Sequence, residues 1–126
     1  MDFNTIREFL IADTGLTALV GNNVFLFDRP EKCDCEDYIT YSPKEMQSIG
    51  GGVRAYQLDM RVVSKNKLKL LAVKDRLIDL LDCHNRATNI KDNDAHIRKI
   101  RLINGGGIAK ADNGDYYAFL YFYVII

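Results

Sequence analysis

The sequence lacks several features that would narrow the choice of function. It has no tryptophan, two prolines and two histidines, and no stretch approaches the roughly 18 consecutive apolar residues of a membrane-spanning helix. Seventeen basic residues balance seventeen acidic ones, so no global attraction to nucleic acid or acidic membranes is expected. What is present is a 126-residue chain, 48% hydrophobic and 27% charged, which predicts one globular domain spanning 1–126.

Cysteine is scarce as well. Cys33, Cys35 and Cys83 cannot all pair within one chain, and the first residues show no signal peptide, so we expect free thiols in a reducing cytosol. Together with His84 and His96 they could supply zinc ligands, but at no recognised spacing. A cysteine nucleophile with a histidine base is equally unsupported, although such groups can meet in space. We therefore predict no catalytic residue, no metal and no cofactor.

Glycine is concentrated in two loops, 43–52 and 104–114. Residues 50–55 match G-x-G-x-x-A, but these glycines precede a predicted strand instead of opening a helix, which argues against a dinucleotide site. The second triplet lacks the following lysine and hydroxyl residue of a phosphate-binding loop. Long loops of this kind are often functional, and we expect both to be mobile and to bind partners. The candidate partner-binding residues are Ile49, Gly50, Gly51, Gly52, Gly105, Gly106, Gly107 and Ile108.

Hydrophobic spacing predicts two main helices, over 3–12 with Asp2 as N-cap and over 65–84, and one further helical turn before Gly21. Alternating or continuous apolar runs predict strands over 24–27, 38–41, 53–64, 95–103 and 115–126, with a bulge at Arg98-Lys99. This order predicts an α+β fold in which the two main helices pack on one face of a mostly antiparallel sheet.

The last predicted strand is apolar on both faces. Ala118, Leu120, Phe122, Val124 and Ile126 fall on one side, and Tyr117, Phe119, Tyr121, Tyr123 and Ile125 on the other. Because the helices can cover only one face, the strand is either central and roofed by a loop, or in contact with another subunit. Tyr117, Tyr121 and Tyr123 are the candidate subunit-interface residues.

Charge is balanced overall but separated locally. An acidic excess lies in the loop 28–37, and basic residues cluster near Lys65 and Arg98. Solvated edges explain such clusters, and complementary patches that orient association explain them as well.

The succession of elements resembles the tail terminator, or tail completion, proteins of long-tailed bacteriophages. The resembling segments are 10–21 (LIADTGLTALVG) leading into the strand 24–27, then Pro30, 38–41, 57–62, the helix 70–81 and the apolar C-terminal strand. The resemblance covers essentially the whole chain and rests on the order and length of elements more than on an invariant motif.

That resemblance implies a non-catalytic virion protein. Six copies would form a ring at the head-proximal end of the tail, cap the tail tube protein, stop its polymerisation and offer a face to the head connector or head-completion protein. Genomic DNA would pass through without specific binding, no membrane would be involved, and assembly would occur in the cytoplasm of the bacterial host. The alternatives are a head-closure or minor tail component or, in a different class, a small cysteine- or zinc-dependent enzyme or binding module.

Overall fold

A computed structural model of the protein describes residues 3–46, 54–82, 97 and 99–125. The described helices are α1 (Asn4–Ile11), α2 (Thr14–Val20) and α3 (Lys67–Leu81). The described strands are β1 (Val24–Leu26), β2 (Tyr38–Glu45), β3 (Ala55–Ser64), β4 (Lys99–Asn104), β5 (Ile108–Lys110) and β6 (Tyr116–Ile125).

The strands form one mixed sheet in the order β1-β2-β3-β6-β4, with β5 also paired to β6. Only β1 and β2 run parallel, and every other described pair is antiparallel. The α+β class and the mostly antiparallel sheet are confirmed. The last strand of the chain is central, because β6 lies between β3 and the strands β4 and β5.

The core lies between the helices and one face of the sheet. The alternation of β3 and β6 is as predicted, with one set of side chains from each strand buried. Three leucines and one valine of α3, at helical spacing, pack on this face. The core members on these three elements are Tyr56, Leu58, Met60, Val62, Leu70, Val73, Leu77, Leu81, Ala118, Leu120, Phe122 and Val124.

Helix α3 is shorter than the predicted 65–84. Its N-cap is Asn66, whose side-chain oxygen accepts hydrogen bonds from the backbone N–H groups of Leu68 (3.0 Å) and Lys69 (3.2 Å). This cap fixes the first turn, because amide side chains satisfy N–H groups that have no partner within the helix. The expected Asp2 cap, the loop 47–53 and residues 83–84 lie outside the described ranges.

The single turn expected before Gly21 is a separate helix, α2, so three helices are described instead of two. Asp13 is the N-cap of this second helix: its Oδ2 accepts from the N–H of Leu16 at 2.8 Å. Arg76 of α3 donates to the same carboxylate through Nε (2.9 Å) and Nη2 (2.6 Å), which ties α2 to α3. Because of these hydrogen bonds from Arg76, the pKa of Asp13 is lowered.

Strand β2 continues to Glu45, beyond its predicted end at residue 41, and includes Pro43. Pro43 pairs with Leu58 of β3. On the other side, β1 pairs only with residues 39–41, so at position 43 no described strand needs a backbone N–H. Proline is tolerated in strands where the N–H has no ladder partner.

The fourth predicted strand, 95–103, begins at Lys99 in the structure. The expected bulge at Arg98-Lys99 involves Arg98, which lies outside the described residues. Within the described part of β4, the register against β6 shifts between Leu102 and Asn104. A further strand, β5, occupies part of the segment predicted as one loop over 104–114. No described helix is long and apolar enough to span a membrane.

Candidate association surface

The face of the sheet opposite the helices carries a row of aromatic side chains from β6. Tyr117 and Phe119 have ring centroids 5.6 Å apart in an edge-to-face arrangement, and Phe119 stacks on Tyr121 at 6.4 Å. The guanidinium of Arg101 lies 5.6 Å from the ring centre of Tyr123. We call Tyr117, Phe119, Tyr121 and Tyr123 the aromatic ladder. It contains all three residues that the sequence marked as interface candidates.

The aromatic ladder is only partly covered by the chain itself. Phe119 is 36% exposed and the three tyrosines are half-buried. Three of its four neighbours on β3 are polar: Gln57 lies opposite Tyr123, Asp59 opposite Tyr121 and Arg61 opposite Phe119. The fourth, Val63 opposite Tyr117, is apolar. Aromatic residues and arginine inside a polar rim are the composition enriched at protein–protein interfaces.

One end of this face is covered by loops. Tyr38 of β2 and Val63 of β3 are buried although no helix covers them. Arg29 lies over the ring of Tyr38 at 5.1 Å, and the loop 29–36 and the turn 113–115 line a common cavity of ≈ 410 Å³. The first sequence alternative holds in part, because β6 is central and loops roof one end of this face. The middle of the aromatic face is open, and its contact with another subunit stays a prediction.

An exposed phenylalanine stands beside the open part. Phe27 directly follows β1, is 55% exposed and has a φ of 69°. This left-handed conformation is rare for a bulky residue and costs about 1–3 kcal/mol. The N–H of Phe27 donates to the carbonyl oxygen of Tyr41 at 2.8 Å, which holds the conformation. Phe27 and Phe119 line a shallow cavity of ≈ 190 Å³.

The acidic loop and one of the basic clusters are joined within the chain. Asp37 accepts hydrogen bonds from Lys69 Nζ (2.7 Å) and Ser64 Oγ (2.5 Å), and Lys65 lies 3.8 Å from Glu36. Burial raises the pKa of Asp37, but the hydrogen bonds from Lys69 and Ser64 outweigh it, and the pKa is lowered. The cations at the start of α3 are therefore partly engaged already.

The second glycine loop is built into the sheet more tightly than expected. Residues 105–107 connect β4 to β5 along the same partner strand, β6. Gly106 has a φ of 56°, and a Cβ on it would lie 2.0 Å from the carbonyl oxygen of Phe119. Its N–H donates to Asn104 Oδ1 at 2.8 Å, and Ile108 pairs with Ala118 in β5. Ile49, Gly50, Gly51 and Gly52 lie outside the described residues.

The outer strands have backbone groups that the chain itself satisfies. On β1, Arg7 Nε donates to the carbonyl oxygen of Val24 at 2.8 Å. The N–H of Asp28 donates to the carbonyl oxygen of Leu26 at 3.0 Å. On β4, the N–H of Leu102 donates to Asp82 Oδ1 at 3.1 Å. Unpaired edge groups would invite an added strand. At these positions contacts must be made by side chains.

Two of the cysteines are not free thiols. Cys33 and Cys35 form a disulfide within the loop after β1, in contrast to the sequence expectation. Residues two apart in an irregular loop can bring their side chains together, which sequence separation alone does not show. In the described part of the chain, no group of three or more His, Cys, Asp and Glu side chains could hold a metal. Cys83, His84 and His96 lie outside it.

The fold defines a class of small α+β proteins that recurs among solved structures. A chain of the virion of a native gene transfer agent particle matches with a TM-score of 0.73 at 14% identity, over 95% of this chain and 90% of that chain. A second solved structure, described without a function, gives a TM-score of 0.62 at 12% identity, over 100% and 96% of the two chains. No protein-family model and no curated protein matches the sequence. At these identities the likeness establishes a shared fold.

Proposed function

We propose that the protein is a non-catalytic virion structural protein that caps a phage tail tube, ends its polymerisation and forms part of the head–tail junction. In this proposal six copies form a ring at the head-proximal end of the tail. The ring contacts the tail tube protein on one side and the head connector or head-completion protein on the other, and genomic DNA passes through without specific binding. Assembly takes place in the host cytoplasm.

The observation that carries this proposal is the open aromatic ladder on the helix-free face of the sheet. Aromatic rings with a polar rim are typical of a surface that another protein covers, and Tyr117, Tyr121 and Tyr123 supply apolar area with hydroxyl groups at its margin. The match over nearly the full length of a chain from a gene transfer agent virion supports a phage-like setting. The order of elements supports the tail-completion role through its resemblance to that family.

Tyr121→Glu and Tyr123→Glu test whether the ladder is a subunit interface. Both place a carboxylate on the proposed interface, and burying an unpaired charge there is strongly unfavourable. Tyr123 lies beside Arg101, so the carboxylate introduced by Tyr123→Glu has a cation nearby in the free subunit. We expect association to weaken at least about tenfold. Light scattering measures it, and electron microscopy counts capped ends after incubation with tail tubes.

Leu68→Glu is the matched control, because Leu68 is 78% exposed on α3, in the helical layer of the molecule. It should associate and cap like the wild type. Folded variants of Tyr121 and Tyr123 that still assemble normally would exclude the ladder as the interface. A wild type that neither associates nor caps tail tubes would overturn the proposed function itself.

A further inference from the structure

Charges of opposite sign lie on opposite sides of the sheet. Asp28, Glu31 and Asp34 are exposed on the loop after β1 and outnumber its two exposed cations, Arg29 and Lys32. On β4, Arg101 is exposed and Lys99 is half-buried. Across the described ranges, neither these three carboxylates nor the two β4 cations take part in an ion pair within the chain. The two groups are called the acidic side and the basic side.

A single copy cannot bring the two sides together. Four strand-to-strand steps separate β1 from β4, which corresponds to about 19 Å at about 4.8 Å a step. Salt screens exposed charges beyond a Debye length of about 8 Å. A second copy placed beside the first in the same orientation would set its basic side against the acidic side of its neighbour.

Asp28 and Arg101 also lie on the same face of the sheet and at similar positions along the strand direction. Asp28 lines the ≈ 190 Å³ cavity together with Asp59, which is paired with Tyr121. Arg101 is paired with Tyr123, two residues further along β6 and about 7 Å away along the strand direction. Both charged groups therefore lie on the helix-free face at nearly the same level of the sheet.

The cavity at Asp28 has the chemistry to receive an arginine. Phe27 and Phe119 provide aromatic surface, and Asp28 and Asp59 supply two carboxylates against the one guanidinium of Arg61. Guanidinium groups stack on aromatic rings and pair with carboxylates in a bidentate geometry. The residual charge of these lining groups is negative and suits an incoming cation.

We infer that a second copy of this chain docks head to tail, with Arg101 of one copy entering the Phe27–Asp28 cavity of the next and Lys99 lying along the acidic side. The inference rests on the proposed ring function and adds which surfaces meet. The contact is heterologous, so repeating it generates a ring if the rotation between neighbours closes. Side chains carry it, because backbone groups of Val24, Leu26 and Leu102 at the two edges already have hydrogen-bond partners within the chain.

Charge reversal with mixing tests this contact. Asp28→Arg alone sets cation against cation, and Arg101→Asp alone sets anion against anion, so each protein should associate about tenfold more weakly than the wild type. An equimolar mixture restores opposite charges at every contact, and so does the double variant. Sedimentation velocity measures association, and at protein concentrations up to about 1 mM it detects contacts even when their dissociation constant is in the millimolar range. We expect the mixture and the double variant to recover association, and added salt to weaken it.

Asp75→Arg on α3 makes the same charge change outside the contact and should leave association unchanged. If a reversed variant fails to fold by circular dichroism, Asp28→Asn and Arg101→Gln replace it and should weaken association and reduce its salt dependence. The inference is overturned if the charge reversals leave association unchanged, or if the equimolar mixture does not recover association. A wild type that is monomeric at about 1 mM also overturns it. Capping of tail tubes in those cases would still uphold the proposed function.

Discussion

Gly106 shows how one residue can determine the path of the backbone between β4 and β5. Three consecutive glycines predict freedom, and sequence alone does not say which of them the fold requires. In the structure only Gly106 combines a positive φ with a carbonyl oxygen, that of Phe119, in the place of its missing side chain. That requirement comes from β6, a strand about a dozen residues away, and local pattern cannot disclose it.

Replacing Gly106 by alanine should destabilise the protein by more than about 1 kcal/mol, because alanine is strained at positive φ and its methyl group would displace the backbone of β6. Gly107→Ala is the matched control, since no atom lies within 4 Å of a Cβ there. It should change the free energy of unfolding by about 0.5 kcal/mol or less. Urea unfolding measures both, and equal effects would show that the close approach at Gly106 is relieved easily.

At the scale of elements, the strongest periodic segments were predicted correctly and the short ones were not. Strands β3 and β6 and helix α3 have long, clear alternation or helical spacing, so their buried faces follow from the sequence. Helix α2 was underestimated although its N-cap is a local signal, because Asp13 accepts from Leu16 three residues later. Only the tie from Asp13 to Arg76, 63 residues away, could not be read from the local sequence. The continuation of β2 through Pro43 likewise depends on how short its neighbour β1 is.

Two variants of Asp13 separate its two roles. Asp13→Asn keeps a capping oxygen and loses the ion pair with Arg76, whose side chain is 41% exposed, so solvent screening limits the loss to about 0.5–1 kcal/mol. Asp13→Ala loses the cap as well, which costs about 1 kcal/mol more. Urea unfolding should rank wild type, Asn and Ala in that order, and an Asn variant no more stable than Ala would assign the whole effect to the ion pair.

For the whole molecule, the α+β class followed from the sequence, whereas the place of each strand in the sheet did not. Strand order arises from pairings between distant segments, and these gave β6 its central position and its open face. The apolar pattern on both faces of β6 is enough to single out Tyr117, Tyr121 and Tyr123 from the sequence alone. The cavity at Phe27 and Asp28 had no such signal, because it depends on one backbone angle after β1.

Acid should weaken the whole fold through two carboxylates. Asp13 and Asp37 both have a lowered pKa when folded. Their stabilisation is complete above the unfolded pKa of about 3.9 and is lost as pH falls through the folded values. We expect the free energy of unfolding to drop below about pH 4, and to drop less steeply in the double variant Asp13→Asn, Asp37→Asn. Parallel profiles for the two proteins, measured by urea unfolding, would contradict this.

The backbone groups already occupied on β1 and β4 bear on how copies can join. A sheet edge with unpaired backbone N–H and C=O groups can add strands from further chains without a defined end. Here Arg7, the N–H of Asp28 and Asp82 occupy edge groups of β1 and β4. In the proposed ring, contacts at these positions would be made by side chains, and the series of copies would close only if the rotation between neighbours allows it. The same hydrogen bonds thus oppose growth of a fibre by strand addition at the positions they occupy.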